Sequence, residues 1–266
     1  MSENFNACSN QNIKEIDTKI NSQIDFDKYT LALIEADRYL AKCPNANKII
    51  VSKSRALIAK KEYTLAISLL QNILKGKNSS ESEWAKYYLA IALYKSGDCS
   101  SAIKIFKELE DSEISQKVKI AYYIGYCFYT FNDWSASIQK LEYVVINKDA
   151  LVDSKGNNST YQTSLFYLAD IYANLWYQHR NNFQRSNYRD KFLKYYRAYF
   201  DSKQEQGIAE VKVLLDRINT DIKSNSQQNE VYAYIYRTQE FKTTICKLYS
   251  EIGQEIPANL SGACIR

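Results

Sequence analysis

A small residue returns at nearly constant intervals along this chain. Ala32, Ala66, Ala102 and Ser137 are separated by 34, 36 and 35 residues. Three positions before them stand Tyr29, Tyr63, Cys99 and Trp134, each opening an apolar stretch of helical period. Two helices come within about 8–10 Å only where no large side chain intervenes. A small residue recurring at this period therefore marks one helix crossing repeated along an array of helical hairpins. With only two prolines and seven glycines, the chain has few residues for the tight turns of a sheet-rich fold. The expected fold class is all-α, built of antiparallel helix pairs in series.

The stretches between the small residues divide the chain further. Residues 1–10 are polar and are expected to form a disordered tail. Residues 11–200 hold about four helical hairpins, with Gly97-Asp98 and Asn132-Asp133 as turns and Pro44 as a helix stop. The fourth hairpin, Tyr161–Tyr177 with Tyr188–Phe200, is lengthened by the insertion HRNNFQRSN. Residues 201–266 are expected to supply helices that cap the array, since a terminal repeat would otherwise expose its apolar face.

The residues at the crossings resemble those of the tetratricopeptide repeat family. First-helix elements appear as Leu89-Ala90 with Leu93, Ile124-Gly125 with Phe128 and Leu168-Ala169 with Tyr172. Second-helix elements appear as Tyr29 with Ala32, Tyr63 with Ala66 and Leu70, Cys99 with Ala102 and Phe106, and Trp134 with Ser137 and Leu141. Only one unit ends in the family's proline (Pro44), and the hairpin around Lys53-Ser54 lacks the first-helix leucine. The resemblance implies a superhelical α-solenoid whose first helices line a concave wall that holds a peptide. On that analogy the groove residues are Arg55, Trp84, Tyr87, Ile91, Tyr94, Tyr122, Tyr126, Tyr129, Phe166 and Asp170. Tyrosine offers an apolar ring and a hydroxyl at low entropic cost, which suits peptide recognition. The competing reading is that these rings fill space between neighbouring hairpins. One subset of the family grips chaperone carboxylates with basic first-helix residues. The matching places here, Val51, Arg55, Tyr87, Tyr88 and Tyr122, carry one charge among them, so that role is not expected.

Arg185, Arg189, Lys191, Lys194 and Arg197 crowd the fourth hairpin among aromatic residues. Such interleaving can serve nucleic acid. A solvated outer face explains it as well, and a net charge of +5 is small for a nucleic-acid binder of this length. Catalysis has little support. His179 is the only histidine, no glycine-rich phosphate loop occurs, and no metal or other cofactor is expected. The six cysteines form no CxxC pair, and Cys99 and Cys127 fall on apolar stripes where free thiols would pack. That points to a reducing, cytoplasmic setting, or a periplasmic or envelope one if an upstream leader is missing. No stretch is apolar enough to span a bilayer. The leading expectation is a non-catalytic scaffold or adaptor holding a segment of a protein partner. The alternatives are a component of an envelope or secretion assembly, and a nucleic-acid-associated or ligand-responsive regulator.

Overall fold

A computed structural model describes residues 8–76, 81–113, 116–151, 158–179 and 183–204, with isolated positions between 239 and 264. All the regular structure among these residues is helical. The chain divides into two compact units, Met1–Cys127 and Phe128–Arg266.

The first unit contains α1 (Asn10–Asp25), α2 (Tyr29–Leu40), α3 (Asn47–Ala59), α4 (Tyr63–Lys75), α5 (Ser82–Lys95), α6 (Cys99–Glu110) and most of α7 (Lys117–Thr130). From α1 to α6 each helix packs on the next, and α3 also touches α1 and α5, so the first helices of successive pairs share one row. Ala32, Ala66 and Ala102 are fully buried, as the crossing argument requires. The corresponding small residues of the first helices, Ser54 and Ala90, are also fully buried. Ser54 thus supplies the small crossing residue in the hairpin around Lys53-Ser54, where no leucine precedes it.

A second period appears in the backbone. Asp27, Lys61, Gly97 and Asn132 have φ of 60°, 66°, 94° and 59°, and each stands five residues before its small residue. At each turn two hydrogen bonds close the preceding helix. Lys61 N–H donates to the Ile58 carbonyl (3.1 Å) and Glu62 N–H to Leu57 (2.9 Å); Gly97 and Asp98 repeat this on Tyr94 (3.1 Å) and Leu93 (2.9 Å). These are Schellman closures, in which a left-handed residue satisfies carbonyls at the helix end. The Asp98 carboxylate then caps α6 through the Ser101 N–H (3.0 Å), which holds its pKa below the usual range.

A left-handed residue with a side chain carries a penalty that glycine avoids. Lys61→Gly is expected to raise stability by about 0.5–1 kcal/mol, and Gly97→Ala to lower it by about 1 kcal/mol, read from urea midpoints. A Cβ at Gly97 would meet nothing within 4 Å, so that loss would be purely one of backbone conformation.

The cysteines depart from expectation. Cys99 and Cys127 are not free thiols but a disulfide, and Cys8–Cys43 and Cys246–Cys264 are disulfides too, with Cα separations of 5.4, 5.7 and 5.4 Å. Spacing along a helix stripe records burial but not what lies across it on another helix. Cys8–Cys43 joins the start of α1, capped by Ser9, to the chain just after α2.

The second unit holds the end of α7, α8 (Trp134–Ile146), a 3-10 turn (Lys148–Leu151), α9 (Ser159–Gln178) and α10 (Arg185–Gln204). Ser137 is again fully buried, and α9 packs on α10 around Leu168, Trp176 and Phe192. Most of the expected capping segment, 201–266, lies outside the described residues.

Candidate binding cleft

The row of first helices α1, α3 and α5 forms a cleft of about 300 Å³ lined by Asp17, Asn21, Lys48, Val51, Ser52, Glu81, Trp84 and Tyr88. The floor is a polar network between α1 and α3. Asn21 Nδ2 donates to Asp17 Oδ1 (2.9 Å) and Ser52 Oγ (3.1 Å), and the Ser52 hydroxyl donates to Asp17 Oδ1. Lys48 pairs with the other Asp17 oxygen at 3.5 Å. Arg55 donates to Asn21 Oδ1 (2.8 Å) and pairs with Asp25 (2.6 Å). Polar residues one repeat apart thus satisfy each other: Asn21 and Arg55 are separated by 34 residues, Asp17 and Ser52 by 35.

The α5 side is aromatic. Trp84 stacks on Tyr88 with centroids 6.0 Å apart and is 36% exposed. Among the described residues neither the Trp84 indole N–H nor the Tyr88 hydroxyl has a hydrogen-bond partner. Burial pushes the Tyr88 phenol above its ordinary pKa, which keeps it a hydrogen-bond donor.

Tyr87 and Ile91 of the expected stripe are only 4% and 6% exposed. Tyr87 lies edge-on to Trp84 (5.8 Å) and to Phe106 of α6 (6.4 Å), and burial drives its pKa up. Phe106 in turn stacks on Tyr123 of α7 (5.2 Å), which meets Tyr94 (4.9 Å) and Tyr122 (5.5 Å); Tyr94 also meets Tyr126 (5.2 Å). Tyr94 is half-buried, and desolvation pushes its phenol up to about 12. Tyr94, Tyr122 and Tyr126 therefore belong to one aromatic run, of which Trp84 and Tyr88 form the end beside the cleft. In the second unit Tyr129 donates to Asp170 (2.8 Å) and stands against Tyr167, while Phe166 packs on Tyr199. All five of these are half-buried.

The sequence reading missed Tyr88 as part of the cleft wall and missed Asp17, Asn21, Lys48 and Ser52 altogether. The available signal was a set of polar residues on α1 and α3 recurring at the repeat interval.

The basic residues of α10 are largely engaged within their own unit. Arg189 pairs with Asp190 (2.9 Å) and Arg197 with Asp201 (3.1 Å). Lys191 donates to the Tyr172 hydroxyl (3.0 Å) near Glu142, and Lys194 lies 5.2 Å over the Tyr195 ring. Arg185, at the start of α10, is half-buried. Tyr172 and Tyr195 both donate to Glu142 (3.2 and 2.8 Å), and burial together with that carboxylate raises both phenols. No described helix is long and apolar enough to cross a membrane, and no group of three or more His, Cys, Asp or Glu among the described residues could hold a metal. No protein-family model matches the chain, and no curated protein matches it.

Proposed function

We propose that this chain is a non-catalytic interaction scaffold that holds a segment of another protein in the cleft of α1, α3 and α5. One observation carries the reading: on the α1–α3 floor of that cleft the Asp17 and Asn21 acceptors are engaged, while donors remain around it. Asp17 is bonded on both oxygens, whereas the Trp84 N–H, the Tyr88 hydroxyl and the spare hydrogens of the Lys48 ammonium are left to a ligand. A segment presenting backbone carbonyls or carboxylate oxygens, with an apolar side chain against the Trp84–Tyr88 pair, complements that surface. The tetratricopeptide resemblance agrees with this placement, because it puts the ligand on first helices.

A regulator acting on nucleic acid is the weaker reading, since Arg189, Lys191 and Arg197 already have acidic neighbours. A part of an envelope or secretion assembly remains the second reading, favoured over a cytoplasmic adaptor by the pairing of the cysteines.

Trp84→Ala with Tyr88→Ala tests the cleft. Removing both members of a partly buried aromatic pair should weaken a partner segment identified by pull-down by at least about 30-fold, roughly 2 kcal/mol. Far-UV circular dichroism should stay unchanged. Undiminished affinity in a folded double variant would remove the cleft from consideration.

A further inference from the structure

We infer that this chain is a substrate for disulfide-forming oxidation and completes its fold in an oxidising compartment. The inference stands apart from the binding reading. All six cysteines of the chain are paired, across separations of 35, 28 and 18 residues. Each pair has its Cα atoms at bridging distance, which reduced thiols have no reason to reach three times over. Two other uses of paired cysteines fail. A metal site would need further ligands, and no such group exists among the described residues. A redox-catalytic pair would be a closely spaced motif such as CxxC, whereas the partners here stand 35, 28 and 18 residues apart. Cys127 is moreover fully buried and Cys99 only 7% exposed. What remains is the structural use, which persists in compartments that do not reduce disulfides.

The chemistry is thiol–disulfide exchange. A cysteine thiolate attacks the disulfide of an oxidised dithiol protein, giving a mixed disulfide and releasing one partner thiolate. The second cysteine then displaces the partner, which leaves as the dithiol. Three rounds pass six electrons and six protons to that oxidant and yield the three bonds.

Burial orders the steps. An exchange partner reaches Cys99 and Cys127 only before α6 closes on α7, so this bond forms during folding. Cys8 is exposed and its bond to Cys43 stays open to exchange in the native protein.

The test uses protein isolated from its native host, denatured without reductant, treated with a maleimide and digested. Supporting results are an absence of labelled cysteine and linked peptides for 8–43, 99–127 and 246–264. Labelled cysteines, or a different set of links, would overturn the inference. Adding dithiothreitol to the native protein should open Cys8–Cys43 at least about tenfold faster than Cys99–Cys127; equal rates would refute the ordering.

Discussion

Phe106→Ala is expected to lower the unfolding free energy of the unit Met1–Cys127 by about 3–5 kcal/mol. The ring is fully buried and is the only α6 member of an aromatic run otherwise built from α5 and α7 among the described residues. It lies flat on Tyr123 at 5.2 Å with planes 11° apart, and edge-on to Tyr87 at 6.4 Å. Truncation removes the transfer free energy of the ring and leaves a cavity between helices fixed by their own crossings. Each lost ring pair adds about 0.5–1.5 kcal/mol. Phe106→Leu restores most of the volume without the stacking and should cost only about 1–2 kcal/mol. Urea unfolding followed by circular dichroism measures both. A loss below about 1 kcal/mol in the alanine variant would show that the ring is not what joins α5 to α7. The same variant bears on function, because Tyr87 lies between Phe106 and the Trp84–Tyr88 pair. A cavity behind Tyr87 should loosen the cleft wall and shift tryptophan fluorescence before unfolding begins.

The architecture was legible because a helix crossing constrains side-chain size directly. Ala32, Ala66, Ala102 and Ser137 had to be small wherever they were buried, and all four are fully buried. The turns were half legible. Gly97 and Asn132 announce a left-handed backbone and Asp27 tolerates one, but Lys61 adopts the same conformation without being a usual choice for it. There the closing hydrogen bonds of the helix end override local preference. The cleft was less legible for a different reason. Helix α5, WAKYYLAIALYK after its first residues, is apolar nearly all round, so no polar face fixes its rotation. Tyr87 and Tyr88 are then equal candidates for the open side, though one step along a helix turns the side chain by about 100°. Only the position of α6 decides, by taking Tyr87 into contact with Phe106. The disulfides were illegible in their pairing, since six cysteines permit many connectivities. Their even number was nonetheless a signal that the apolar-stripe argument set aside.

Cys99→Ala with Cys127→Ala tests how far that covalent closure matters, and it should destabilise the same unit by about 4–5 kcal/mol. Opening a loop of 28 residues returns about 3.6 kcal/mol of chain entropy to the unfolded state. Removing two buried sulfurs adds about 1 kcal/mol more. Cys8→Ala with Cys43→Ala is the internal control. Its separation of 35 residues changes the loop term by only about 0.2 kcal/mol, because closure entropy grows with the logarithm of length. Any larger difference between the two double variants therefore measures burial, and it should favour the Cys99–Cys127 pair, since Cys8 is exposed. Reductant on the wild type separates the two contributions, because it opens the loops while keeping the sulfurs. Its urea midpoint should fall in the reduced protein, but by less than the sum of the two double variants requires. A midpoint unmoved by complete reduction would mean that the unfolded chain is already compact around these residues, and the staples would then stabilise nothing.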